Sequence, residues 1–184
     1  MHMQPTIYTE RLTLRPFLVE DGEDVRRLAG DRRIANTTLA IPHPYPVGAA
    51  EAWIATHVTG FNTGKEITFA VIRSDNSSLV GAVTLLDISA VHARAEVGYW
   101  IGAESWSNGY CTEAILRLIE FAQIDLGITR VVGRCLARNP ASARVMEKAG
   151  LKREGLLVQH VKKNGRFEDT IVFGLILSGR SATS

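Results

Sequence analysis

Cysteine, proline, charge of one sign and long apolar runs are all scarce in this sequence, and each scarcity excludes something. Only two cysteines occur, Cys111 and Cys135. They show neither metal-ligand spacing nor a disulfide framework, which fits a reducing cytoplasm. The net charge is only +2, and the basic residues are spread out. That is too little to argue for nucleic acid or a membrane surface. No apolar run approaches the roughly 20 residues needed to cross a bilayer. The opening Met1-His-Met-Gln-Pro5 lacks an apolar signal region. No His/Cys/Asp cluster has ligand spacing, which disfavours a metal enzyme. A nucleotide P-loop or a dinucleotide-binding turn is disfavoured because neither glycine pattern follows a strand. Three of the six prolines crowd into Ile41-Pro-His-Pro-Tyr-Pro-Val-Gly48, which makes that stretch a stiff loop.

What remains is an ordinary globular composition, 46% hydrophobic and 22% charged over 184 residues, suited to one domain spanning 1–184. Thr9–Arg15 alternates apolar and polar and reads as an opening strand ended by Pro16. Glu20–Ala29 and Ala49–Phe61 carry helical spacing. Thr68–Arg73 and Leu79–Leu86 read as a hairpin around Asp75-Asn-Ser-Ser78. Arg94–Ile101 is the next strand, and Thr112–Leu126 the longest helix, closed by Gly127. Arg130–Leu136 is a strand, and Asn139–Ala149 a helix stopped by Gly150. Leu156–Lys163 and Phe167–Leu177 form a final antiparallel pair around Asn164-Gly165. This order predicts an α/β (α+β) protein with a single mixed, mostly antiparallel sheet flanked by helices, and a crossover after the glycine-bearing turn at 107–109.

That crossover carries the most information. Ala95-Glu-Val-Gly-Tyr-Trp-Ile101 feeds, through the small polar turn Ser107-Asn-Gly109, into a helix with Ala114, Ile115, Leu118, Ile119 and Ala122 on one face. Such a turn leaves backbone N–H groups unpaired at a helix N-terminus, where the dipole favours phosphate. The expectation is a protein that holds a pyrophosphate-bearing ligand there.

Trp106-Ser-Asn-Gly-Tyr-Cys-Thr-Glu-Ala114 resembles the acetyl-CoA turn of the GNAT-superfamily N-acetyltransferases, written Gln/Arg-x-x-Gly-x-Gly/Ala. A second match is Asn139-Pro-Ala-Ser142 followed by Ala149-Gly150-Leu151, and Thr9-Glu-Arg-Leu-Thr-Leu-Arg-Pro16 is a typical opening. The likeness spans nearly the whole chain and is greatest to the Rim type, whose named members acetylate ribosomal-protein N-termini. Trp106 replaces the family's Gln or Arg, as an aromatic residue commonly does in Rim-type members. Cys111 replaces a Gly or Ala. Its place at a helix N-terminus lowers a thiol pKa, so a nucleophile is one reading. A small packing residue is the better one.

The resemblance implies acetyl-CoA as co-substrate, no metal, and an amine acceptor. Ser107, Asn108, Gly109, Tyr110, Cys111 and Thr112 would hold the pyrophosphate through backbone N–H groups. Tyr99, Trp100 and Ile101 would pair with the peptide-like pantetheine arm where their strand splays from the next, one N–H there serving as oxyanion donor. Asn139 would bond the pantetheine backbone, or act as a plain N-cap. Glu96 is the candidate base for the amine; its alternative is an exposed strand residue paired with Arg94 or a neighbouring strand. Many members place a proton-donating Tyr further along the 139–149 helix, but Met146 stands there. The role of stabilising the leaving thiolate therefore passes to Ser142 or to the helix dipole. On the acceptor side, Tyr45 and Trp100 are groove candidates or ordinary core aromatics. His43 reads as an exposed loop residue, and Asp169 as an acid that could touch the acceptor. Three functions stand: acetylation of a protein or peptide N-terminal α-amine, acetylation of a small amine, and a non-catalytic acetyl-CoA-binding module. A net charge of +2 gives no push toward a polycationic acceptor. Edges of the last hairpin offer a place for two chains to pair as a homodimer.

Overall fold

Strands with apolar residues on both faces belong in the middle of a sheet, and that is where the Ile67-Thr-Phe-Ala-Val-Ile-Arg73 run lies. In the computed structural model the described residues are 3–177; the 1–184 domain reading and the Met1–His2 part of the opening segment extend beyond them. The strands are β1 (Ile7–Tyr8), β2 (Leu12–Arg15), β3 (Ile67–Arg73), β4 (Leu79–Ser89), β5 (Arg94–Ile101), β6 (Arg130–Leu136), β7 (Lys152–Lys163) and β8 (Arg166–Ile176). They form one sheet in the order β1-β2-β3-β4-β5-β6-β8-β7. Only β5 and β6 run parallel; the other neighbours are antiparallel. The mixed, mostly antiparallel sheet and its crossover agree with the sequence reading.

The helices are α1 (Gly22–Ala29), α2 (Arg32–Thr37), α3 (Ala49–Asn62), α4 (Tyr110–Leu126) and α5 (Pro140–Lys148). One face of the sheet is covered by α4 and α5, around Phe69, Val83, Ile115, Leu118 and Met146. The other is covered by α1 and α3, around Val25, Leu28, Ile54, Ile72 and Trp100. Each helix buries its apolar stripe, and α4 carries Ala114, Ile115, Leu118, Ile119, Phe121 and Ala122 inward. Phe69 and Phe121 lock it to the sheet, edge to face at 5.7 Å between ring centres.

Two elements went unread in the sequence: the two-residue β1, and α2. Asp31 starts α2, its side chain accepting from the Arg33 N–H at 2.7 Å. Strand β7 also begins four residues earlier than expected, at Lys152. The Asn164-Gly165 turn has positive φ at both residues, 49° and 80°, as a type I′ hairpin turn requires. β7 is the outer strand, interrupted by register shifts near Gly155 and between Leu157 and Val161, so its edge is not a clean template.

Candidate functional site

The turn before α4 is built to present N–H groups. After β5, Gly102 donates to the Val80 carbonyl at 2.8 Å. A short 3-10 turn, Ala103–Ser105, follows. Ser107 and Gly109 then take positive φ, 64° and 80°. At 109 glycine matters, because L side chains pay for that conformation. The first helical bond at this end runs from Glu113 N to Gly109 O, 3.1 Å. Among the described residues none accepts from the N–H groups of 107–112, so they stand uncommitted at the positive end of a 17-residue helix.

The turn is braced from outside. Asn108 Nδ2 donates to the carbonyls of Ser105 and Trp106. Arg11 Nη1 donates to the Asn108 carbonyl at 3.1 Å, and Arg11 also binds Glu113 of α4. Burial works against charge on Glu113. The Thr9 hydroxyl and the Arg11 N–H and guanidinium outweigh it and hold its carboxyl below the usual range. The Trp106 indole N–H donates to the Ile101 carbonyl at 2.7 Å, tying the turn to the end of β5.

That end of β5 is open. Parallel pairing with β6 stops at Val97 opposite Gly133, although β5 continues to Ile101 and β6 to Leu136. Because Gly102 N–H points to β4, alternation along the strand sends the N–H groups of Tyr99 and Ile101 to the unpaired side. Trp100's own backbone groups point to β4, opposite Ala82; what it offers the opening is its largely buried indole. The splay makes a gap through the sheet, opening into a cleft of about 480 Å³.

On the α4/α5 side of the gap, the Tyr99 hydroxyl donates to the Ser142 carbonyl at 3.0 Å and lies 2.8 Å from Ser142 Oγ. Burial holds the Tyr99 phenol well above its ordinary pKa, so it stays protonated. Asn139 caps α5: its side-chain oxygen accepts from Ser142 N at 3.1 Å, and its Nδ2 donates to the Thr37 carbonyl at 3.3 Å. On the α1/α3 side, Glu96 accepts from Arg134 Nε with both oxygens at 3.0 Å and also from Nη2. Tyr45, Trp53 and Trp100 line the same cleft as this pair and supply its aromatic surface.

Glu96, Tyr99, Trp100 and Ser142 thus meet in one cleft, with the turn 107–112 beyond the end of β5. Asp169, His43 and Met146 fall elsewhere, and Cys111 lies within the turn. Cys111 is half-buried, and desolvation pushes its thiol up to about 12. That runs against the helix-end expectation and favours the packing reading. Asp169 binds Gln159 N at 2.8 Å within the β7 irregularity and does not line the cleft. His43 Nδ1 lies 3.0 Å from the Gly30 carbonyl, anchoring its loop. Met146 is buried in the core. Arg134 and Trp53 were missed. Arg134 is a charge in the middle of the otherwise apolar run 131–136, and that was the available signal. Trp53 carries no signal beyond helical spacing.

The sequence profile of the acetyltransferase (GNAT) domain matches residues 11–152. This chain belongs to the GNAT acetyltransferase family. It is 28% identical over 174 residues to an uncharacterized N-acetyltransferase of Bacillus subtilis, YoaA, covering 95% of this chain and 98% of that one. It is 27% identical over 99 residues to the spermidine N(1)-acetyltransferase of Vibrio cholerae, covering 54% and 57%. The fold superposes with a TM-score of 0.86 on RimL, a ribosomal alpha-N-protein acetyltransferase in complex with coenzyme A, at 16% identity over 94% and 98% of the two chains. Among the described residues no group of His, Cys, Asp and Glu is arranged to hold a metal ion. No helix there is long and apolar enough to cross a membrane.

Proposed function

We propose that this chain, as one domain over 1–184, moves the acetyl group of acetyl-CoA to a primary amine, with the α-amine of a protein or peptide N-terminus as acceptor. The observation that carries this is the pair of unsatisfied backbone sets in tandem: the N–H groups of 107–112 and the β5 edge beyond Val97. A pyrophosphate satisfies the first and an amide-bearing pantetheine arm the second. Tyr99 and Ile101 supply the edge groups. One of those N–H groups polarises the thioester carbonyl.

The amine enters from the α1/α3 side in its neutral form. Its nitrogen bonds to the acetyl carbonyl carbon as the carbon–sulfur bond breaks. The amine gives up one proton, to Glu96 or to water held by it. The leaving thiolate takes the hydrogen bond of Ser142, whose hydroxyl turns from the Tyr99 oxygen to give it while the Tyr99 phenol stays on the Ser142 carbonyl, and finally one proton from solvent. An α-amine has a pKa near 8, so Glu96 has little work to do as a base. Asn139 positions Ser142 by capping its helix. A cleft of about 480 Å³ falls in the range of small-ligand sites, which also suits a free small amine. A homodimer would pair two chains along the outer edge of β7.

Calorimetric titration with acetyl-CoA, CoA and ATP tests the donor half, and release of free CoA thiol with N-terminal peptides tests the transfer. Selective binding of acetyl-CoA and CoA with acetylated peptide is the expected result. Binding without transfer to any amine leaves a sensor module, and no binding removes the reading.

A further inference from the structure

The charge on the acceptor side of the cleft is balanced. Among the described residues lining it, Glu96 and Arg134 alone are charged, and each neutralises the other. The surrounding wall is apolar: Tyr45, Trp53, Trp100 and Leu86. Glu96 is largely covered, whereas Arg134 keeps 37% of its side chain exposed. Glu96 engages Nε and Nη2 of the guanidinium. Among the described residues nothing accepts from Nη1, so a fork of uncommitted donors stands beside the carboxylate. A guanidinium held rigid by one carboxylate and still offering N–H groups is suited to a second oxygen ligand.

We propose that Arg134 is the specificity-determining residue of the acceptor cleft. Its free N–H groups take the carbonyl oxygen that an α-amino acyl compound carries one carbon from its amine, while Glu96 takes the amine. The acceptor's apolar side chain rests on the aromatic wall. The same arrangement disfavours polyamines: a second ammonium would enter beside a guanidinium, and among the described residues lining the cleft the one carboxylate, Glu96, is already paired, while Asp87, which acts electrostatically on Arg134, lies outside the lining. This inference rests on the acetyl-transfer reading above and goes beyond it by naming the carbonyl as the recognised group.

The test compares kcat/KM, per neutral amine, for phenylalaninamide, 2-phenylethylamine and spermidine, using the full chain with saturating acetyl-CoA. The second amine keeps the ring and loses only the carbonyl. A hydrogen bond to a charged group predicts a preference for phenylalaninamide over 2-phenylethylamine of about 10- to 100-fold, with spermidine the poorest. Arg134→Met should bring the first two within about threefold, a residual worth little binding energy, and leave acetyl-CoA affinity unchanged by calorimetry. Arg134→Lys, which keeps the charge without the fork, should fall between and serves if the Met variant does not fold. A wild-type ratio near one, spermidine as the best acceptor, no acetylation of phenylalaninamide, or a ratio untouched in both variants would overturn the proposal. Each of those results with acetyl-CoA binding intact leaves the donor site standing. Loss of acetyl-CoA binding by the wild type removes both.

Discussion

Replacing Gly109 with valine separates the donor turn's chemistry from its fold. Gly109 has φ +80°, and a Cβ built there meets only Arg11 Nη2 at an ordinary 3.5 Å. Packing therefore does not forbid the change; the backbone does. Holding a β-branched residue in that conformation costs about 1–3 kcal/mol, a minority of the roughly 5–15 kcal/mol that keeps a domain folded. At about 2–4 °C per kcal/mol for a chain of this size, the melting temperature should fall by about 2–12 °C. Binding suffers more. The valine branches cover the approach to the N–H groups on either side, or the turn relaxes and redirects them. Losing two charge-assisted hydrogen bonds, each worth about 1.5–3 kcal/mol, corresponds to about 100- to 10,000-fold in affinity. Gly109→Asn is the control, since Asn tolerates the left-handed region: stability should recover while binding stays impaired by bulk. Scanning calorimetry and titration with CoA and acetyl-CoA read both quantities. A valine variant that melts early yet binds acetyl-CoA within about threefold of wild type would refute the placement of the pyrophosphate.

Other consequences follow from the same geometry. Glu96→Gln should lower turnover most near neutral pH and recover as rising pH deprotonates the amine; an unaltered pH–rate profile removes Glu96 from proton transfer. Ser142→Ala should reduce kcat by about 10-fold or more while the Kd for acetyl-CoA holds, and equal losses in both would make it a binding residue. His57 is buried against Phe17 and Trp53, both ring nitrogens without a partner among the described residues, and desolvation lowers its pKa to about 4. The unfolded imidazole takes a proton near pH 6.5 and the folded one only near 4. Stability should therefore decline between those values as pH falls, by up to about 3 kcal/mol. His57→Phe should flatten that part of a melting-temperature profile, and an unchanged slope would place the titration elsewhere.

Much of this architecture was legible because local signals agreed with the fold. The alternation of Leu12 and Leu14, the stripe of α4 and the Asn164-Gly165 turn each named their element without tertiary information. The turn before α4 was legible for the same reason: Ser107-Asn-Gly109 between a strand and a helix has one economical geometry. α2 escaped because six residues carry too little periodicity, although Asp31 was a readable cap. Pairing across the sheet was not legible. Glu96 and Arg134 are 38 residues apart and meet only because β5 and β6 run parallel. The contact of Tyr99 with Ser142 likewise depends on where the splay begins. The acidity of Cys111 was not legible either, because a helix-end argument leaves out the burial that raises its thiol.

Amide hydrogen exchange with and without acetyl-CoA tests the central claim most directly. The account predicts slowed exchange at residues 107–112 and at Tyr99 and Ile101, with the outer edge of β7 unaffected. Protection that spares the turn and the β5 edge, or appears elsewhere in the molecule, would contradict it.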